Sequence, residues 1–242
     1  MKRQGDAAEV LLGEADWCVA CADCRDILPL LPANCVTHVV TDPPYADRVH
    51  RGMRGNRGEA GIVTRDPGFA ALAPETRRIA AQELCRITKG WIAVFTDWES
   101  LHLWIRDIES AGGTHRRPIP WVRWSSPQFN KLAPPCGSEC VEFATGSQKG
   151  RRYWQQGNRT HYDTKCLRAK SHDKIGHPTE KPEGLCRDIL SDIGAQPGDL
   201  ILDPFTGSGK IGIAALKMGC RYLGLDTDPR WATTAAEWLA KC

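Results

Sequence analysis

Residues 200–212 read Leu-Ile-Leu-Asp-Pro-Phe-Thr-Gly-Ser-Gly-Lys-Ile-Gly, an apolar run that breaks at glycines and resumes with helical spacing. Strand, glycine turn and helix in that order commit the chain to an open α/β sheet, because such a turn belongs to the carboxyl end of a parallel strand. Gly207, Gly209 and Gly212 satisfy G-x-G-x-x-G there, so a ligand can approach the backbone at the helix amino terminus. Asp226 follows Gly207 by 19 residues, at the end of the next apolar run, where a carboxylate can accept from ribose hydroxyls. Alone, the pattern suits a nicotinamide cofactor as well as any other adenosine-bearing one. A nucleoside-triphosphate loop is excluded, since it needs Gly at 204 and Ser or Thr at 211, where Pro204 and Ile211 stand.

The rest of the chain repeats the rhythm. Short β-branched or apolar runs at residues 17–21, 36–41, 91–96, 200–203 and 221–226 alternate with helical spacing. Leu101, Trp104, Ile105 and Ile108 form one helical stripe, stopped by Gly112 and Gly113; Leu185, Ile189 and Ile193 form a second, and Ile211, Ala215 and Met218 a third. The expected fold is therefore α/β, a mostly parallel sheet with helices on both faces, in one domain over residues 1–242. Two irregular stretches interrupt it, at about residues 46–75 and 125–176, rich in Gly, Pro, Arg and Lys. Long irregular segments inside a compact domain usually carry function, so both are expected to be recognition regions.

Charge supports that expectation by its placement and not by its total, which is only +3. Arg48, Arg51, Arg54 and Arg57 crowd the first irregular stretch. From residue 146 to 176, eight basic side chains, among them Lys149, Arg151, Arg152 and Arg159, face two acidic ones. These are the candidates for phosphate contacts, against the plainer reading of a solvated basic surface. No apolar run approaches the roughly 18 residues of a membrane span, and the amino terminus lacks the apolar core of a signal peptide, so a cytoplasmic protein is expected. In a reducing compartment the 11 cysteines are expected as thiols. Cys18, Cys21 and Cys24 spell C-x-x-C-x-x-C, but a tetrahedral metal site needs a fourth ligand and the triplet overlaps a predicted strand; no metal is expected.

The chemistry is carried by Asp42-Pro43-Pro44-Tyr45, directly after the apolar run 36–41. A proline turn with a capping Asp is the structural alternative, but it does not explain placement at a strand's carboxyl end, where ligands of open α/β sheets bind. An aromatic amine is a poor nucleophile because its lone pair is delocalised into the ring. Two acceptors taking hydrogen bonds from its N–H groups would localise that pair. The Asp42 carboxylate can be one and the Pro43 carbonyl, held by the proline that follows, the other. Tyr45 offers a flat face to a base flipped out of a duplex.

At these residues the sequence resembles the amino-methylating DNA methyltransferases, in the class whose catalytic motif precedes its cofactor motif. The resemblance implies a Rossmann-like methyltransferase sheet of seven strands, S-adenosylmethionine as cofactor and double-stranded DNA as partner, and it admits a homodimer. It implies catalytic roles for Asp42, Pro43, Pro44 and Tyr45, and DNA contacts from the basic candidates. His177-Pro178-Thr179-Glu180-Lys181-Pro182 is similar to the family's segment at the cofactor's methionine end, implicating His177, Thr179 and Lys181. Asp23, in Ala22-Asp23-Cys24, matches the acidic strand end that meets the adenine, with Ala22 where Gly is usual. Asp203, Phe205, Thr206, Gly207, Ser208, Gly209 and Asp226, with Asp42, complete the implied cofactor site. Residues 91–97 resemble the strand after the catalytic helix and 142–146 a late strand. The resemblance further implies transfer to N6 of adenine, since Asp42 matches the adenine form of the motif; N4 of cytosine is the alternative. A nicotinamide-dependent oxidoreductase would explain Gly207 and Asp226 but gives Asp42 to Tyr45 no role.

Overall fold

The computed structural model of the chain describes residues 2–44, 71–122, 139–145, 159–163 and 180–242. Its strands are β1 (Trp17–Cys21), β2 (His38–Thr41), β3 (Trp91–Asp97), β4 (Thr114–Val122), β5 (Glu139–Thr145), the two-residue β6 (Tyr162–Asp163), β7 (Leu200–Asp203) and β8 (Arg221–Asp226). Its helices are α1 (Ala7–Leu12), α2 (Cys24–Ile27), α3 (Pro74–Ile87), α4 (Leu101–Ser110), α5 (Glu183–Asp192), α6 (Lys210–Lys217) and α7 (Pro229–Leu239).

All the described strands join one sheet in the order β1-β8-β7-β2-β3-β5-β4-β6, and every one runs parallel to the rest except β5. The mostly parallel sheet is thus as expected, with eight strands where the resemblance implied seven. Predicted strand limits hold for β1, β7 and β8. The run from residue 36 begins its ladder only at His38, Val36 making an isolated bridge to Thr88. Most of the two predicted irregular stretches lies outside the described residues. The first has given way to α3 by Pro74, and the second contains β5 and β6.

Successive strand residues face opposite sides, and both sides are apolar. On one, Val40, Phe95, Phe143 and Trp17 pack under Leu185, Ile189, Ile211, Ala215 and Leu239 of α5, α6 and α7. On the other, Val39, Ile92, Leu202 and Leu223 pack against Val10, Ala80, Leu84, Trp104 and Ile108 of α1, α3 and α4. The connection from β7 to β8 passes through α6 on the first face, and that from β2 to β3 passes through α3 on the second. The neighbours β2 and β7 therefore send their chains away in opposite directions, which opens a crevice at their carboxyl ends. Among the described residues no helix is long and apolar enough to cross a membrane.

Candidate active site

The end of β7 supplies the crevice floor. Asp203 is fully buried, and its carboxylate accepts from Thr41 Oγ1 at 2.7 Å, from the Phe205 N–H at 3.2 Å and from the Tyr222 hydroxyl at 3.2 Å. Burial pushes the Asp203 carboxyl up to about 7, and the charge of Asp42 adds to the rise, while its hydrogen bonds oppose it. Thr206 Oγ1 lies 3.1 Å from the Tyr222 hydroxyl and donates to the Asp203 carbonyl, so the turn is tied to β8 as well as to β7. The Tyr222 ring needs bare backbone around it. A Cβ at Gly212 would stand 2.6 Å from the ring, and one at Gly224 2.3 Å from Thr206 Oγ1. Gly209 sits at φ +77° and leads into α6.

Asp226 closes the turn from the side. Its carboxylate accepts the Gly207 N–H at 2.8 Å and the Asp228 N–H at 2.9 Å. Its carbonyl accepts from the Ala22 N–H at 2.9 Å, which sets the end of β1 beside it. Asp23 follows as the cap of α2, accepting from the Arg25 N–H, and the Arg25 guanidinium beside it holds its carboxyl below the usual range. Two carboxylates thus stand at adjoining strand ends, each with its orientation fixed by backbone donors.

Asp42, Pro43 and Pro44 meet this arrangement at the end of β2. Pro43 is buried and Pro44 half-buried. The Asp42 carboxylate lies 2.6 Å from the ammonium of Lys181, whose side chain is only 6% exposed against 17% for Asp42. Lys181 comes from the segment before α5, 139 residues away in sequence, and its ammonium also lies 5.3 Å from the centre of the Phe95 ring and 5.8 Å from that of Trp121. The adjoining Glu180 pairs at 3.0 Å with Lys210, the first residue of α6.

Of the residues singled out in the sequence, Asp23, Asp42, Pro43, Pro44, Lys181, Asp203, Phe205, Thr206, Gly207, Ser208, Gly209 and Asp226 lie at this carboxyl edge or on the segment that reaches it. Tyr45, His177, Thr179, Arg48, Arg51, Arg54, Arg57, Lys149, Arg151 and Arg152 fall outside the described residues. Arg159 is elsewhere. Its guanidinium pairs with the buried Asp192 of α5 and stacks 4.9 Å from the Tyr162 ring centre, a tie that turns its charge inward. The contact sequence reasoning missed is Lys181 to Asp42, together with the Glu180 to Lys210 pair. Opposite charges next to each other in the segment were its only trace. The cysteine triplet diverges in space: Cys18 and Cys24 face the core and Cys21 is exposed. Among the described residues no cluster of three His, Cys, Asp or Glu suits a metal ion.

Residues 144–237 match the family model of N6/N4 DNA methylases. YubD of Escherichia coli, which carries a provisional methylase name, is 26% identical over 222 residues, covering 90% of this chain and 88% of that one. The crystal structure of the M1.HpyAVI–SAM complex has a TM-score of 0.66 at 20% identity, covering 92% of this chain and 98% of that one. PvuII DNA methyltransferase, which is cytosine-N4-specific, has a TM-score of 0.68 at 14% identity, covering 92% and 86%. The chain shares the fold of these solved structures, and over residues 144–237 it is similar to the N6/N4 DNA methylases.

Proposed function

We propose that this protein transfers a methyl group from S-adenosylmethionine to the N6 amine of an adenine flipped out of duplex DNA. The observation that carries the reading is the meeting of Asp42 and the β7 glycine turn at one crevice, joined through Thr41 to Asp203 and through Lys181 to the α5 segment. The residues present fit the cofactor. The turn has backbone bare enough for close approach, and Asp226 and Asp23 offer acceptors for ribose hydroxyls and the adenine amine. Phe205, Thr206, Ser208 and Gly209 complete the turn, and His177 and Thr179 belong to the same proposed site. When bound, the cofactor supplies an electrophilic methyl group on a sulfonium.

The chain's own residues prepare the amine. Asp42 accepts one N–H of the target, and the Pro43 carbonyl a second, which concentrates the nitrogen lone pair. The cofactor would supply its methyl group to that nitrogen with the sulfur as leaving group, and the surplus amine proton would pass through the Asp42 carboxylate that accepts it to water. Pro43 and Pro44 fix the backbone, so no reorganisation is needed at the moment of reaction. Tyr45 is assigned to stacking on the base, and Arg48, Arg51, Arg54, Arg57, Lys149, Arg151 and Arg152 to phosphate contacts.

N4 of cytosine is the second reading, favoured by the fold likeness to PvuII DNA methyltransferase. The choice of adenine rests on Asp42 as the first residue of the motif. Duplex DNA of mixed sequence, incubated with enzyme and S-adenosylmethionine and hydrolysed to nucleosides, decides it by chromatography and mass spectrometry. N6-methyladenine is expected. N4-methylcytosine alone would overturn the base assignment, and neither product at high enzyme concentration would overturn the activity.

A further inference from the structure

We infer that Lys181 acts on the reaction through Asp42, as a positioning residue, and that Glu180 and Lys181 together register the catalytic loop against the cofactor turn. The inference rests on the reading of Asp42 as acceptor for the target amine. It departs from the role the sequence suggested for Lys181, a ligand of the cofactor's amino-acid end.

A lysine ammonium is a strongly hydrated point charge on a flexible stem, and fixing it away from water is costly unless a partner meets it. Lys181 is buried, with Phe95 and Trp121 against its ammonium and the Asp42 carboxylate at 2.6 Å. A carboxylate has about four lone-pair sites on two oxygens. Holding Oδ2 with an ammonium sets the plane in which both oxygens lie, and so the direction from which the carboxylate can accept an amine N–H. In that direction a small misplacement matters, since a shift of about 1 Å in a reacting geometry can cost about a hundredfold in rate.

Glu180 and Lys181 send opposite charges to opposite lips of the crevice: Lys181 to the residue that follows β2, Glu180 to Lys210 at the start of α6 after β7. Both pairs are largely shielded from water, with exposures of 6% and 17% in the first and 9% and 14% in the second. Two consecutive residues thereby fix the distance between the loop that holds the nucleophile and the turn proposed to hold the methyl donor. Neither pair requires a ligand.

The test compares Lys181→Met, Lys181→Gln, Asp42→Asn and the double variant Asp42→Asn/Lys181→Met. Single-turnover methyl transfer into duplex DNA is measured at saturating S-adenosylmethionine, cofactor affinity by calorimetry, and folding by melting midpoint. Lys181→Met and Lys181→Gln are expected to slow transfer by at least about tenfold, given the geometric penalty above, with cofactor affinity little changed. In the Asp42→Asn background, removing Lys181 is expected to cost almost nothing more, because a residue that acts through Asp42 has no penalty of its own. Unchanged transfer, a loss confined to cofactor affinity, or a full penalty that persists beside Asp42→Asn would each overturn the inference. If Lys181→Met does not fold, Lys181→Gln and the double variant, which buries no lone charge, make the same comparison. Unfolding of every Lys181 variant would assign the residue to stability and overturn it too. Wild-type enzyme that transfers no methyl group fails a different claim, the proposed activity itself.

Discussion

The two halves of the sheet bury charge in different ways. In the half formed by β1, β8, β7 and β2, the buried or half-buried carboxylates of Asp203, Asp226 and Asp42 stand at strand ends, bonded to backbone N–H groups, hydroxyls and one lysine. In the half formed by β3, β5, β4 and β6, Asp97 at the end of β3 is held in the same way by the Ser100 N–H and hydroxyl, but several other buried charges tie one element to another. Arg77 of α3 donates to Asp107 of α4 at 2.8 Å, Arg159 and the Tyr162 hydroxyl bind Asp192 of α5, and His115 of β4 pairs with the fully buried Glu142 of β5. Burial and a perturbed carboxyl occur in both halves, for burial pushes Glu142 up to about 7 just as it does Asp203. What separates site from scaffold is where the charges point: into a crevice between diverging strands, or between packed elements.

The comparison breaks if a change in one half produces the symptom of the other. The largest effect is expected at Asp42→Ala. Losing one preorganised acceptor should slow methyl transfer per folded molecule by about a hundredfold or more with cofactor affinity little changed, while the Lys181 ammonium left without its carboxylate lowers the melting midpoint, a separate cost that adding Lys181→Met removes. Asp107→Ala should do the reverse. It leaves the Arg77 guanidinium, 8% exposed, without its carboxylate, which should cost about 3 kcal/mol of stability in a denaturant titration. Transfer per folded molecule should stay that of the wild type.

A smaller effect is expected at Asp226→Ala. A ribose hydroxyl would lose a charged partner worth about 1.5 to 3 kcal/mol, so calorimetry should show the cofactor weakened by roughly tenfold or more. Because Asp226 also accepts the Gly207 and Asp228 N–H groups, the turn itself should loosen, and backbone hydrogen exchange at Gly207 should rise. Unchanged affinity would move the ribose contact away from Asp226.

The smallest effect is a change of pH dependence. Glu142 has an ordinary value of 4.5 and is raised by burial to about 7. Between those values the folded state keeps a proton that the unfolded chain gives up, so its contribution is fully present below about 4.5 and is lost as pH rises toward 7. Glu142→Gln should flatten that decline in melting midpoint across the same window and leave cofactor affinity unaltered. A decline as steep as before would remove Glu142 from the account.

Much of this contrast was legible in the sequence, and the part that was not has physical reasons. Strands β1, β7 and β8 were found at their limits because strands covered on both faces are short unbroken apolar runs. Strand β4 was missed because Thr114–Val122 carries Arg116, Arg117, Pro118 and Pro120, which look like a loop. Prolines are tolerated on a strand with an open side, and β6 meets that side only at Trp121 and Val122. Helix α7 was missed although Asp228 caps it and Pro229 opens it, a start that could have been read. Within the candidate site, strand ends and glycines pointed to Asp42, Gly207 and Asp226, which the fold brings to one carboxyl edge. The contact between Lys181 and Asp42 did not announce itself, because residues so far apart in sequence are joined only by the sheet order.

The central claim is that the Asp42 loop and the β7 turn serve one reaction across one crevice. The most direct measurement is a crystal structure of the protein with S-adenosylmethionine bound. The account predicts the cofactor along residues 203–209, its ribose against Asp226, its adenine toward Asp23 and its sulfonium methyl directed at Asp42. A cofactor bound elsewhere, or bound at the turn with its methyl directed away from Asp42, would contradict it.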